Sequence, residues 1–277
     1  MTLAESLRKH RIQLSCLMLL LAAVYARIIR DMVMQWANDE NYSHGFIVPL
    51  IAAWFLYERR DVLLKMQVAP WSPGLAVVVL GLLQLLLGFL ATELFTMRSS
   101  LLIVLAGLTL FFFGRQIFRH TLLPLGYLIL MVPLPYIVYD SIAFPLKLLV
   151  SRVSVAALQT MGIVVLREGN MIMFPALTLE VAEACSGMRS LVSLLALSAG
   201  YAIYLQTTGI RRWLLILSAV PIAVCTNAIR VIVTGILAQR WGTKAAEGFF
   251  HEFAGLAVFG MAVVFLLLAG RVVKRQG

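Results

Sequence analysis

The chain has 277 residues, of which 61% are hydrophobic and only 13% are charged. Several apolar runs approach or exceed the roughly 18 to 20 residues that cross a bilayer. They are apolar on all sides, which excludes the one-sided helices of a soluble globular protein. The net charge of +10 lies in short clusters between these runs. That distribution argues against nucleic-acid binding and is typical of the loop charges that orient membrane proteins.

The apolar runs predict an all-α polytopic membrane protein with about eight transmembrane helices in one domain, residues 1–277. The predicted spans cover residues 13–34, 45–58, 73–92, 97–114, 121–139, 186–206, 212–237 and 253–271. With the N-terminus inside, thirteen of the 23 Lys and Arg residues lie at predicted cytoplasmic ends, in residues 8–11, 59–65, 115–119, 211–212 and 271–275. This excess of positive charge supports that orientation.

The first predicted outer loop, residues 35–46, is acidic and aromatic. One interpretation is an interfacial loop in which Trp36 and Tyr42 lie at the lipid headgroups, as aromatic residues commonly do. The alternative makes His44 part of a substrate entrance. The sequence leaves both open.

Residues 140–185 carry a different pattern. Ser141–Gly162 is apolar but contains Lys147 and Arg152, so we expect a helix lying on the outer face. Short β-rich runs follow, punctuated by turn residues 167–170 and by Pro175, and they predict a β-hairpin. An open sheet edge is excluded from lipid, so this extracytoplasmic segment must lie outside or be covered by protein. Upstream, the prolines of MVPLP, residues 131–135, predict a kink or an end in the fifth span.

The three cysteines show neither a CxxC pair nor a metal-ligand spacing, so we predict no disulfide framework, no metal and no cofactor. Cys16 and Cys225 lie within apolar runs and are expected to be small core residues. Cys185 instead lies where a short polar passage opens into the sixth span. The unpaired N–H groups at a helix start favour the thiolate form there.

Three reactive side chains are predicted at one membrane depth. Cys185 opens the sixth span, Arg230 lies in the last turns of the seventh, and His251 precedes the eighth. A thiolate attacks a carbonyl, an imidazole transfers the proton, and a fixed cation stabilises the oxyanion, so the set fits acyl transfer. Individually these residues also suit a buried cysteine, a lipid-anchoring arginine and an interfacial histidine. Asn227 shares the helical face of Arg230 and could orient it or contact substrate.

Five stretches resemble the sequence blocks of a known family. EACSGMRSLVSLLALS, PIAVCTNAIRVIVTG and FFHEFAGLAVFG, at residues 183–198, 221–235 and 249–260, are similar to the three signature blocks of exosortases. NYSHGFIVP and LQTMGIVVLREGNMI, at residues 41–49 and 158–172, also resemble family blocks. The resemblance therefore spans most of the chain.

The resemblance implies a bacterial inner-membrane cysteine protease and transpeptidase with a sortase-like triad facing the periplasm. Cys185 would be the nucleophile that forms an acyl-thioester, Arg230 the oxyanion stabiliser and His251 the acid or base. Its partners would be membrane lipid and exported proteins ending in a Pro-Glu-Pro-like motif, a membrane helix and a basic tail. Candidates for substrate contact are Glu183, Arg189, Asn227 and His44, and Arg189, Arg152 and Lys147 are candidates for contact with the acidic residue of the signal.

Two other functions remain compatible with the sequence. A transporter or flippase would line its substrate path with intramembrane Arg and His residues, although the broken helices and matching halves common in transporters are missing. A membrane acyl- or glycosyltransferase of polysaccharide assembly would consume a lipid-linked donor. Substrate flux that survives loss of the thiol favours the first, and labelling with a lipid donor identifies the second.

Overall fold

The computed structural model describes residues 1–175, 178–180, 187–241 and 249–275, and these residues are predominantly α-helical. Their packing divides the chain into two units, Met1–Pro135 and Tyr136–Gly277. The single membrane domain expected over residues 1–277 stays a prediction.

Five helices in the described part of the chain are long and apolar enough to cross a membrane. They are Arg11–Asn38, Leu94–Phe113, Tyr136–Thr160, Gly209–Leu237 and Gly255–Lys274. The apolar helices Gly74–Leu90 and Leu191–Tyr204 are shorter. The predicted class, an all-α polytopic membrane protein, is thus confirmed, whereas the predicted number of eight spans is not.

The first unit contains seven α-helices among its described elements. They are α1 (Leu3–Lys9), α2 (Arg11–Asn38), α3 (Ile47–Glu58), α4 (Arg60–Lys65), α5 (Gly74–Leu90), α6 (Leu94–Phe113) and α7 (Arg115–Tyr127). Short 3-10 helices at Glu40–Phe46 and Leu128–Met131 follow α2 and α7. Gly114 separates α6 from α7 with φ 90°, in the left-handed region that favours glycine.

Helices α5 and α6 form a close antiparallel pair because glycines face the partner helix. Gly74, Gly81 and Gly88 occur at every seventh position of α5 and are its buried residues. A Cβ at Gly81 would lie 2.7 Å from Val104 Cγ2 and 3.0 Å from the Val104 amide nitrogen. Small residues of this kind let helix backbones approach in a membrane, where packing drives association.

The predicted fifth span, residues 121–139, is wrong as a continuous helix. Helix α7 begins earlier, at Arg115, and its 3-10 extension ends at Met131. Residues 132–135 are not helical, and the next helix starts at Tyr136. Pro133 and Pro135 explain the break, because each lacks an N–H and disfavours helical geometry at the residue before it.

The second unit contains a long helix, a small sheet and further helices. The helices are α8 (Tyr136–Thr160), α9 (Gly187–Tyr204), α10 (Gly209–Leu217), α11 (Ala219–Trp241) and α12 (Phe249–Arg275). Strands β1 (Leu166–Glu168), β2 (Met171–Met173) and β3 (Thr178–Glu180) form an antiparallel sheet in the order β1-β2-β3.

The sheet packs on α8 and α11. Ile172 and Phe174 are buried in one cluster with Val150 and Leu158 of α8 and Val231 of α11. The Ser151 hydroxyl on α8 donates to the Gly169 carbonyl in the β1–β2 turn at 3.0 Å. The extended segment predicted before Cys185 is therefore present, with three strands rather than two, and one of its faces is covered by helices.

The structure differs from two other predictions, one about a helix and one about two cysteines. The helix expected over 141–162 runs over Tyr136–Thr160 and is long and apolar enough to span, while its placement on the outer face stays a prediction. Cys16 and Cys225 are free and exposed rather than core residues. A lipid-facing position is as apolar as a core position in sequence, so composition alone does not separate the two.

Candidate functional site

Of the three predicted reactive side chains, Arg230 on α11 is the one whose surroundings the structure describes. It is only 5% exposed although it carries a permanent charge. Burying a charge at membrane depth is costly, and such residues usually serve a function. Its surroundings therefore define the candidate site within the second unit.

The guanidinium of Arg230 lies against the backbone of α12 at Gly255. A Cβ at Gly255 would be 3.3 Å from Nη2 and 3.5 Å from both Cζ and Nη1 of Arg230. Gly255 is one helical turn after His251, so the two share one face of α12. The structure thus brings Arg230 to the helix turn that follows His251.

Asn227 is a second buried polar residue on α11, three residues before Arg230. It is 8% exposed, and its side-chain oxygen Oδ1 has no hydrogen-bond partner among the described residues. An unsatisfied buried acceptor costs about 1 to 3 kcal/mol. A donor on a bound molecule would remove that cost, so Asn227 offers an acceptor next to the charge of Arg230.

Helix α9 packs against α12 in the same unit. Gly270 of α12 lies directly on the Tyr201 ring of α9, and Leu191 and Leu194 of α9 share one buried cluster with Ala262 and Leu266 of α12. The common membrane depth predicted for the starts of α9 and α12 stays a prediction.

The other predicted residues of this site are less completely described. Cys185 and Glu183 lie outside the described residues, and α9 begins at Gly187, two positions after Cys185. Arg189 lies in the first turn of α9 and His251 in the first turn of α12, and for both only the helix position is described. Their roles stay predictions.

Two basic residues of α8 were candidates for contact with the acidic residue of a signal. Lys147 Nζ lies 3.9 Å from Asp140 Oδ1 on the same helix, and the Lys147 side chain is 22% exposed. Arg152 is exposed. Lys147 is therefore already paired within α8, whereas the guanidinium of Arg152 is accessible.

His44 is buried in the first unit, in the 3-10 helix that follows α2. It is 8% exposed, and its Nε2–H donates to the Leu130 carbonyl at 3.1 Å. Trp36 Nε1–H donates to the next carbonyl, that of Met131, at 2.9 Å. Burial lowers the pKa of His44, so the ring is neutral at pH 7. In this structure His44 contacts the 3-10 helix Leu128–Met131 that follows α7, and substrate contact by His44 stays a prediction.

Two residues were not predicted from the sequence. Gly255 lies one turn after His251, but only the crossing of α11 and α12 shows that its missing side chain makes room for Arg230. Arg98 is a lone arginine in the apolar run of α6, which is the same kind of signal as Arg230. The sequence therefore carried a signal for Arg98 but not for the packing partner of Arg230.

Comparison with known proteins identifies the family. The family model described as Transmembrane exosortase (Exosortase_EpsH) matches residues 36–268. No curated protein and no solved structure matches the chain significantly. The match covers most of the chain and includes the positions of Cys185, Arg230 and His251. This multi-pass membrane protein belongs to the transmembrane exosortase family.

Proposed function

We propose that this protein is a cysteine protease and transpeptidase of the bacterial inner membrane, acting at the periplasmic face. Its substrates are exported proteins that end in a Pro-Glu-Pro-like motif, a membrane helix and a basic tail. The observation that carries the proposal is the contact of the buried Arg230 guanidinium with Gly255, one turn from His251.

The first half of the reaction forms a thioester. The Cys185 thiolate attacks the carbonyl carbon of the scissile peptide, and Arg230 donates to the oxygen that becomes negative. The C–N bond then breaks, and His251 gives a proton to the departing nitrogen of the anchor segment. The mature protein remains bound to Cys185 as an acyl-thioester.

The second half releases the product. Water or an amine attacks the thioester carbonyl, His251 takes a proton from the attacking group, and the Cys185 thiolate leaves. Arg suits the oxyanion role because it stays charged and presents a rigid fork of donors. Asn227 Oδ1, the buried acceptor beside Arg230, accepts a backbone N–H of the substrate and so positions the scissile bond.

The packing of α9 against α12 supports this assignment. Cys185 precedes the start of α9 by two residues, and α9 contacts the helix that carries Gly255 and His251. Binding the substrate's own membrane helix would supply much of the positioning, since it removes most of the freedom of the scissile peptide.

A reporter protein tests the nucleophile. A secreted reporter with a C-terminal Pro-Glu-Pro motif, apolar helix and basic tail is co-expressed with the enzyme in a bacterial host. The wild type should cleave it and release it from the membrane, and Cys185→Ala should leave it full-length and anchored. Cys225→Ala is the matched control, because Cys225 is a free exposed thiol on α11. Normal cleavage by Cys185→Ala refutes the proposal.

Hydroxylamine tests the thioester separately. Added during turnover, it should convert the reporter's new C-terminus to a hydroxamate that mass spectrometry detects. Cleavage without any hydroxamate would show hydrolysis that bypasses the acyl-enzyme.

The orientation is tested by thiol labelling. In a variant with Cys16→Ser and Cys225→Ser, Cys185 is the remaining cysteine of the sequence. A membrane-impermeant maleimide should label it from the periplasmic side of intact cells. Labelling that appears only after the membrane is opened would place residue 185 in the cytoplasm.

A further inference from the structure

A groove in the first unit lies between α2 and the α5–α6 pair, and its residues play no part in the proposed reaction. Its volume is about 810 Å³, and most of its wall is apolar, with Leu82, Leu85, Leu86 and Phe89 contributed by α5. Three charged residues line the same groove: Arg27, Asp31 and Arg98. The groove thus has a long apolar wall and a compact charged region.

Arg98 is the buried member of the charged set. It is 5% exposed, and its Nη1–H donates to Gln35 Oε1 at 2.7 Å, which is its one hydrogen bond among the described residues. A guanidinium offers five N–H donors, so most of this capacity is unused there. A charged group at membrane depth without a close counter-ion is costly.

The carboxylates nearby do not meet this need. Asp31 pairs with Arg27 at 4.0 Å, and within the described residues no carboxylate forms an ion pair with Arg98. Asp31 and Glu93 act on Arg98 only at longer range. The Arg27 side chain is 90% exposed and lies at the rim of the groove. With two arginines against one aspartate, the lining carries a net positive charge and favours an anion.

The lining of the groove, together with its size, indicates which anion fits. A peptide helix about 10 Å across would place only about 10 Å of its length, or about seven residues, in a volume of this size. Volumes of about 300 to 1,000 Å³ are typical of small-molecule sites. The apolar wall matches acyl chains, and the guanidinium of an arginine pairs with a phosphate through its fork of N–H donors.

We propose that this groove binds one anionic phospholipid, whose phosphate contacts the Arg98 guanidinium and whose acyl chains lie along the leucine wall of α5. Arg27 at the rim adds to the attraction for the headgroup. The phosphate then supplies the close counter-charge for Arg98 that Asp31 and Glu93 provide only at longer range.

Native mass spectrometry of the purified protein in detergent tests the site. The protein is titrated with dioleoyl phosphatidylglycerol and, separately, with dioleoyl phosphatidylcholine, which has the same chains and no net charge. The wild type should bind one phosphatidylglycerol more tightly than phosphatidylcholine. Arg98→Gln should weaken that binding about tenfold, a change of about 1.4 kcal/mol.

Arg30→Gln is the matched control. Arg30 is an exposed arginine on α2 that does not line the groove. It should bind phosphatidylglycerol as the wild type does. Equal losses in both variants would show attraction by general surface charge and overturn the site, as would wild-type binding by Arg98→Gln.

A second variant covers the possibility that Arg98→Gln misfolds. Leu86→Trp adds bulk to the exposed apolar wall and leaves Arg98 in place, and it should also weaken phosphatidylglycerol binding. Unchanged binding by this variant contradicts the groove as the site.

A competition experiment then identifies the ligand. Displacement of the lipid by inorganic phosphate alone, or by a synthetic peptide carrying the acidic sorting motif and its helix, would overturn the phospholipid assignment, and failure of both supports it.

Discussion

Two helix pairs in this protein use a glycine in different ways. Between α5 and α6, a Cβ at Gly81 would meet the Val104 backbone and side chain at 3.0 and 2.7 Å. Between α11 and α12, a Cβ at Gly255 would meet the guanidinium of Arg230 at 3.3 Å. The first glycine brings two apolar helices together, whereas the second makes room for a charge.

The polar side chains at the two helix contacts also differ. The buried residues of α5 are glycines, and the buried Arg98 of α6 donates to Gln35 of α2 rather than to α5. In the second pair, α11 buries Thr226, Asn227, Arg230 and Thr234, and the Arg230 guanidinium lies against α12. Helix packing in lipid needs only small residues and occasional hydrogen bonds, so the charge and the open acceptor of α11 indicate that the α11–α12 contact serves chemistry, whereas the glycine contacts of α5 and α6 serve stability.

Replacing Arg230 should have the largest effect. Loss of one oxyanion donor typically lowers the rate about 100- to 1,000-fold, so we expect a loss of that size in Arg230→Ala. Arg230→Lys should recover only part of the rate, because it keeps the charge but not the fork of donors. The measurement is single-turnover cleavage of the reporter by purified enzyme.

The control for Arg230 is Arg271→Lys, which changes an exposed arginine near the C-terminal end of α12. It should cleave at the wild-type rate. A wild-type rate in Arg230→Ala would remove Arg230 from the mechanism and, with it, the contrast between the two helix pairs.

Gly81→Val should lower stability rather than the chemical step. The added isopropyl group would overlap Val104, and overpacking of this kind costs about 1 to 3 kcal/mol. The measurement is the midpoint of thermal unfolding in detergent. Gly126→Val in α7 is the matched control, because a Cβ there meets nothing within 4 Å. Equal midpoints in the two variants would contradict close packing of α5 on α6.

Gly255→Ala should slow cleavage with little effect on unfolding. The new methyl would displace the guanidinium by a few tenths of an ångström, and small misplacements of catalytic groups lower rates strongly, here by about tenfold. Gly260→Ala lies on the same helix with open space around its Cβ, so it should keep the wild-type rate. If both alanines behave alike, the contact between Gly255 and Arg230 has no part in catalysis.

The positions of several helices and turns could be predicted from the sequence, because they depend on residues that are neighbours in the chain. The apolar runs predicted α2 and α6, the prolines at 133 and 135 predicted the end of the fifth span, and residues 167–170 predicted the turn between β1 and β2. The early start of α7 was not predicted, since Arg115 and Arg119 give its first turns the appearance of a loop.

The tertiary contacts could not be predicted in the same way. Sequence indicated that Arg230 and His251 share a depth, but the choice of Gly255 as the packing partner depends on how α11 crosses α12. The prediction that Cys16 and Cys225 are buried was wrong, because lipid-facing and core positions select the same residue types. The helix on which a residue lies is thus easier to predict than the direction in which its side chain points.

The smallest expected effect concerns His44, which stabilises the first unit through the Leu130 carbonyl. Burial lowers the pKa of His44 below its ordinary value of 6.5, and hydrogen bonds to Leu130 and Asn41 only partly oppose this. As pH falls below about 6.5, the unfolded chain therefore takes up a proton before the folded chain does, and the free energy of unfolding decreases until the folded pKa is passed.

The variant His44→Gln tests this dependence, because it keeps an N–H donor for Leu130 but cannot take up this proton. Its unfolding midpoint should change less between about pH 7.5 and about pH 5.5 than that of the wild type, whereas His120→Gln, at an exposed histidine of α7, should keep the wild-type dependence. If His44→Gln keeps it as well, the buried ring does not contribute to the acid sensitivity of the first unit.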